Sequence, residues 1–217
     1  MNRFMTGRMT RLPAVALLAG ALVGAAACGD AVRQSRASSY LVVEDLAGAS
    51  GATPSKFSNT LQSDVVTNVE TTVGGASVMV PTVYEDLGQV ALKIAMKDPG
   101  TTDSPTTPSP TNQITVTRYR VVFTRADGRN TAGVDVPYPF DGAATGTVTA
   151  SGTSLNFVLV RAQAKLEAPL KGLAGGGGGV VISTIAQITL YGRDQAGNDV
   201  SVTGTMSVNF ADWADPS

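Results

Sequence analysis

Histidine is absent from all 217 residues, and the chain has one cysteine, Cys28. These two facts remove most hydrolytic chemistry. Ser-His-Asp and Cys-His systems need an imidazole base, and imidazole zinc sites have no ligand. A Ser-Lys pair is conceivable, but no S-x-x-K spacing occurs. Carboxylates are the remaining catalytic material. Glu44-Asp45 and Glu85-Asp86 are adjacent pairs of the kind a glycosidase would need. Neighbours on a strand face opposite ways, so surface or turn carboxylates explain them better. Asp194, Asn198 and Asp199 offer oxygens to a calcium ion, which needs 6 to 8 of them. The competing reading is a turn held by Asx hydrogen bonds, and it is the one favoured. The run Gly175 to Gly179 lacks the Lys of a phosphate loop and opens no helix, so it reads as a flexible loop. No metal and no small-molecule cofactor is expected.

Cys28 closes a leader with a cationic start (Arg3, Arg8, Arg11) and an uncharged apolar run from Leu12 to Ala27. That order is the pattern of an export signal, and the run is shorter than the roughly 20 residues of a membrane span. Ala25-Ala26-Ala27-Cys28 resembles the lipobox of a bacterial lipoprotein, with Ala25 where Leu is usual. The resemblance implies cleavage before Cys28 and a covalent lipid on its thiol. Cleavage after Ala27 by ordinary signal peptidase is the competing route. Acylation also removes a thiol that would otherwise stand unpaired in an oxidising compartment. Gly29, rather than Asp, follows the cysteine, which implies the outer membrane or cell surface. Residues 1–27 are therefore expected to be a signal peptide and residues 28–39 a polar tether with a reach on the order of 40 Å.

The part after the leader carries 13 Lys and Arg against 17 Asp and Glu, a net charge of −4. No basic stripe is present, so nucleic acid is not an expected partner. With no second cysteine, packing must hold the fold. Thr, Val, Gly, Ala and Ser are abundant, which favours strands and turns.

The elements follow from period-two alternation. From Asp199 to Phe210, Val200, Val202, Gly204, Met206, Val208 and Phe210 fall on one face. Gln89 to Lys97 repeats the pattern with Val90, Leu92, Ile94 and Met96. Gln113 to Arg125 changes phase, from Ile114 and Val116 to Tyr119, Val121 and Phe123, as a bulge would require. Val180 to Tyr191 is apolar on both faces and predicts a central strand. Thr145 to Ala150 and Leu155 to Ala162 form a further pair. Tyr40 to Leu46, Leu61 to Val69 and Val134 to Phe140 are weaker strands. Glu167 to Leu173 holds at most a helical turn. Residues 98–112 (DPGTTDSPTTPSPTN) predict an exposed mobile loop, with an interdomain linker as the alternative, and residues 171–179 (KGLAGGGGG) a long loop.

Seven to nine such strands predict an all-β, antiparallel sandwich over residues 40–213. The segment Ile188 to Asn198 (ITLYGRDQAGN), followed by an alternating strand, resembles the final hairpin of bacterial Ig-like and fibronectin-III-like domains. The chain lacks the cysteine pair of antibody domains, and its only tryptophan, Trp213, lies beyond the last strand. The resemblance implies an architecture and carries over no functional residue.

Val136, Pro137, Tyr138, Pro139 and Phe140 form the leading contact candidate. The prolines stiffen this segment and confine it to an edge strand. Its aromatics either meet a protein or glycan, or plug one end of the core. Trp213 poses the same choice between exposed platform and lid. The expectation is a non-catalytic, lipid-anchored envelope protein that binds another envelope protein or a surface polymer. An accessory subunit of an envelope complex is the alternative, and a carboxylate glycosidase the least favoured.

Overall fold

Alternation between Asp199 and Ala211 buries Val200, Met206, Val208 and Phe210 and leaves Thr203, Thr205 and Ser207 in solvent. The same rule builds most of the molecule. A computed structural model describes residues 36–213 and residue 215. The leader, Cys28 and residues 28–35 of the tether lie outside the described residues.

Ten strands occur among the described residues, rather than seven to nine. In chain order they are β1 (Ser39–Ala49), β2 (Thr60–Asp64), β3 (Thr67–Val73), β4 (Ala76–Thr82), β5 (Asp86–Met96), β6 (Ile114–Thr124), β7 (Phe140–Val148), β8 (Thr153–Val160), β9 (Ile182–Asp194) and β10 (Asp199–Ala211). One short helix, α1 (Ala162–Leu166), lies between β8 and β9. The fold is all-β and sandwich-like. A three-stranded sheet, β1-β5-β8, faces a five-stranded sheet, β2-β10-β9-β6-β7, across one apolar cluster. Phe210, Leu92, Ile114, Leu159, Ile188 and Leu190 are among its fully buried side chains.

The phase change in β6 is a bulge. Register against both β7 and β9 shifts between Val116 and Arg118, and Ile114, Val116, Tyr119, Val121 and Phe123 are all buried. The extra residue rotates the second half of the strand so that Tyr119 also faces inward. There its ring meets Phe157 of the opposite sheet, 5.1 Å between centroids, and its hydroxyl accepts the Val158 N–H at 3.2 Å. Gly142 must lack a side chain because the Tyr119 ring occupies the place of its Cβ.

Four expectations are corrected. The sandwich is not wholly antiparallel, because β2 runs parallel to β10. After β1 the chain loops out over residues 50–59 and continues in the same direction in the other sheet. The run Leu61 to Val69 is two strands, broken where Val65 and Val66 turn out of the sheet. β9 is central in its sheet but apolar on one face only. Ile185 is exposed there, and Val180 and Val181 precede the strand in solvent. Val134 to Phe140 is not an edge strand. Pro137 and Pro139 have no N–H to give a ladder, and strand structure starts only at Phe140.

β3 and β4 form a separate two-stranded ribbon. Gly74 and Gly75 turn it with φ of 63° and 87°, the pair of positive values that a tight hairpin turn requires.

Candidate functional site at the distal pole

Strand register sorts the connections into two ends. Ser39 pairs with Met96, Ile114 with Asp194 and Val148, and Leu92 with Thr153. The start of β1, residues 98–112, the β7–β8 turn and the β9–β10 turn therefore share one end, here the proximal pole. At the other end Ala49 pairs with Leu87, Asp86 with Val160, and Phe210 with Ile182. The 50–59 loop, the β3–β4 ribbon, the β6–β7 loop, α1 with the glycine-rich loop, and Trp213 gather at this distal pole. β1 and β5 have 11 residues each, which separates the poles by roughly 35 Å.

The proximal pole satisfies itself. Asp194 Oδ1 accepts the N–H groups of Ala196 and Asn198 at 3.0 and 2.8 Å, and its Oδ2 accepts Asn198 Nδ2 at 2.9 Å. Arg193 Nε donates to Asp199 at 2.8 Å. Of the weak calcium candidates, Asp194 and Asn198 make the hydrogen bonds of an Asx turn while Asp199, at the start of β10, pairs with Arg193. No cluster of three or more His, Cys, Asp or Glu suited to a metal occurs among the described residues. Asn112, at the end of the Pro-rich loop, donates to Ser38 and accepts from Ser39 at 2.8 and 2.9 Å.

At the distal pole a charged pair is enclosed. Lys165 Nζ donates to Asp86 Oδ1 at 2.8 Å, and the two residues are 3% and 0% exposed. Gly51 N–H donates to the same oxygen at 2.9 Å, and Ser63 Oγ donates to Oδ2 at 2.5 Å. Burial pushes the Asp86 carboxyl above its usual range, against the pull of Lys165 and these donors. Ser63 and Lys165 do not form a nucleophile. Both are bonded to Asp86 inside the wall, and Ser63 is fully buried, so no substrate reaches the group. The cluster joins α1, β5, β2 and the 50–59 loop. Glu85 and Asp86 do face opposite ways, but Asp86 is core rather than surface. Glu44 and Asp45 are both exposed because β1 has a bulge between Val43 and Asp45.

Two grooves flank this wall. One, of about 320 Å³, is lined by Pro137, Tyr138, Pro139, Phe140, Arg161 and Glu167, with others from α1. The contact candidate divides here. Val136 and Pro137 are buried, and Phe140 is in the core at 7% exposure. Tyr138 is 58% exposed and Pro139 is exposed. Arg161 lies over the Phe140 ring, 4.0 Å from its centroid, and donates to the Asp141 carbonyl at 2.7 Å. The second groove, of about 410 Å³, is lined by the 50–60 loop, the edge of β2 and Trp213. Trp213 is half-buried and sits apart from the Tyr138 groove in chain and lining. Its backbone N–H donates to Asp64 Oδ1 at 2.9 Å. Thr67 Oγ1 donates to Asp64 Oδ2 at 2.6 Å, and burial raises this carboxyl also.

Sequence reasoning missed the Lys165–Asp86–Ser63 cluster, α1 and the ribbon. Ala162 to Leu166 (AQAKL) is a run of good helix formers, and Gly74-Gly75 is a hairpin signal. Both were readable. Neither a family model, nor a curated protein, nor a solved structure matches the chain.

Proposed function

We propose that the chain is a lipid-anchored, non-catalytic module of the bacterial cell envelope with an Ig-like sandwich, held through Cys28 and recognising its partner at the distal pole. The observation that carries the reading is the Tyr138 groove. An exposed aromatic between two prolines borders it, its ring lying over Gly133, and Arg161 stacked on the Phe140 ring lines the same groove, at the end of the fold away from the tether. Aromatic and Arg side chains of this kind dominate protein contacts. The Ig-like assignment is supported by the division into a three-stranded sheet and a larger sheet containing the last two strands. The basic leader and the Ala25-Ala26-Ala27-Cys28 run support the anchor, and Gly29 supports the outer membrane.

The test is co-purification of the tagged full chain from native membranes in mild detergent, beside Cys28→Ser and Tyr138→Ala. A stoichiometric partner retained by the wild type, weakened by Cys28→Ser and lost with Tyr138→Ala is the expected result. Undiminished capture by Tyr138→Ala and by Arg161→Ala would remove the groove from the proposal. Turnover of a glycan or ester, abolished by one carboxylate change, would overturn the non-catalytic reading.

A second reading, a subunit of a larger envelope assembly, is favoured by the β3–β4 ribbon. Register places Val69 opposite Val80, Thr71 opposite Val78 and Val73 opposite Ala76, so all six share one face. Val73, Val78 and Val80 are 60%, 45% and 40% exposed. An isolated two-stranded ribbon is marginally stable in water, and an exposed apolar face marks an interaction surface. A complex that survives detergent and dissociates with Val78→Asp distinguishes this reading from a weak binder.

A further inference from the structure

We propose that the groove beside Trp213 is a subsite for a neutral saccharide. The inference deepens the binding-module reading, on which it rests, by assigning a ligand class to the groove that reading does not use.

The lining is polar and nearly uncharged. Ser50, Thr53, Ser58, Thr60 and Gln62 supply hydroxyls and an amide, groups that both donate and accept. Among the described residues the only charged members are Lys56 and Asp64, one of each sign. Asp64 already has both oxygens occupied, by Thr67 and by the Trp213 backbone. No net field selects an anion or a cation. A ligand rich in hydroxyls and without charge matches such a surface, because every buried polar group of the ligand then finds a partner.

The indole adds the apolar half. Trp213 lines the same groove, and its backbone is fixed through Asp64. Gly175 N–H donates to Asp212 at 2.6 Å, and a Cβ on Gly178 would come within 4.0 Å of the Trp213 ring. The glycine loop thus braces the segment that carries the indole. An aromatic ring with a polar edge suits the mixed C–H and hydroxyl faces of a sugar ring. The Trp213 Nε1–H is enclosed without a partner among the described residues. A buried unpaired donor is uncommon. At about 410 Å³ the groove is in the range of small-ligand sites.

An extended peptide fits less well. β2 is the edge strand of its sheet, but it is five residues long. Ser58 Oγ already donates to the Thr60 carbonyl at 2.5 Å, which blocks the start of that edge. Too little free ladder remains for an added strand to make the main-chain bonds that drive such docking.

Trp213 is the only tryptophan in the chain, so its fluorescence reports this groove alone. The full chain in detergent is titrated with chitotetraose, maltotetraose and cellotetraose. The expected result is a saturable emission change with at least one of them, at a dissociation constant of about 1 mM or tighter. Gln62→Ala and Thr60→Ala, whose side chains are exposed, each weaken it about fivefold, the worth of one hydrogen bond, with the fold unchanged by circular dichroism. Tyr138→Ala leaves it unchanged. Flat emission with all three sugars at about 20 mM overturns the proposal, since that lies far above any useful affinity. So does saturation that ignores both variants, or a response to an extended Ser/Thr-rich peptide in place of the sugars. Failure here with the co-purified partner retained removes the saccharide subsite alone. Loss of the partner with sugar binding intact removes only the Tyr138 groove.

Discussion

The two poles of this sandwich are made by the same strands and finished differently. At the proximal pole the β7–β8 and β9–β10 connections are tight turns, the Asp194 turn satisfies its polar groups within five residues, and the one long connection, the 17 residues between β5 and β6, is exposed over most of its length. At the distal pole several long connections gather together. Fifteen residues join β6 to β7, and 21 join β8 to β9. They enclose a charged pair, open two grooves and leave a ribbon in solvent. Strand pairing requires none of this, since short turns suffice to close a sandwich. Long ordered connections clustered at one end of a rigid scaffold are where binding sites are commonly built.

The sharpest way to break the contrast is to remove the charge inside the distal wall. Lys165→Ala leaves Asp86 buried beside Ser63 and Gly51 with no counter-ion, and is expected to lose about 3–5 kcal/mol in urea unfolding. Replacing both members, Asp86→Leu with Lys165→Met, should recover part of that loss, because burying two charges is itself costly, while the Ser63 hydroxyl and Gly51 N–H left without an acceptor hold the recovery short. A Lys165→Ala protein as stable as the wild type would mean that the pair does not tie α1 to the wall.

Two neighbouring aromatics give the next test. Phe140→Ala removes a ring that packs on Tyr119 at the rim of the core, and should cost about 3 kcal/mol, the low end for such a truncation. Tyr138→Ala should stay within about 0.5 kcal/mol, as an exposed position does. Equal losses would mean that Tyr138 is also structural, and would weaken its role as a contact residue.

At the proximal pole, Asp194→Ala strands the Ala196 and Asn198 N–H groups, and a loss of about 1–2 kcal/mol is expected. Adding millimolar calcium to the wild type should leave its melting temperature where it was. A rise in melting temperature that disappears in Asp194→Ala would restore the metal reading of this turn.

Legibility followed the range of the interactions. Alternation located most strands, because a half-buried strand writes its two faces into adjacent residues. Even the bulge at Val116 to Arg118 was visible, since an inserted residue must change the phase of the inward set. The parallel pairing of β2 with β10 was not, because pairing partners leave no local signature. Asp86 and Lys165 are 79 residues apart, and nothing near either residue announces the other. The segment Val136 to Phe140 was read in the wrong form. Pro137 and Pro139 were taken to limit a strand, whereas they prevent one. That is why Tyr138 and Phe140, two residues apart, do not share the strand alternation their neighbours obey.

The smallest expected effect concerns the surface of the distal pole. In the β6–β7 loop, Asp127 accepts from Arg125 at 2.7 Å and from Arg129 at 2.9 Å, and these guanidiniums hold its carboxyl well below the usual carboxylate range. A carboxyl depressed on folding stabilises the native state above its unfolded pKa of about 4, and that contribution disappears as pH falls through the folded value. The Asp127→Asn protein should therefore melt slightly below the wild type at pH 7, and the gap should close as the pH is taken below about 4. Salt should close it too, since the pairs are exposed to solvent and screened. A gap that widens in acid would mean that the loop depends on Asp127 for something other than its charge. The bond that its Oδ1 accepts from the Arg129 N–H, at 3.2 Å, would then be the place to look, because an Asx turn survives exchange of the carboxylate for an amide only when the acceptor oxygen keeps its position.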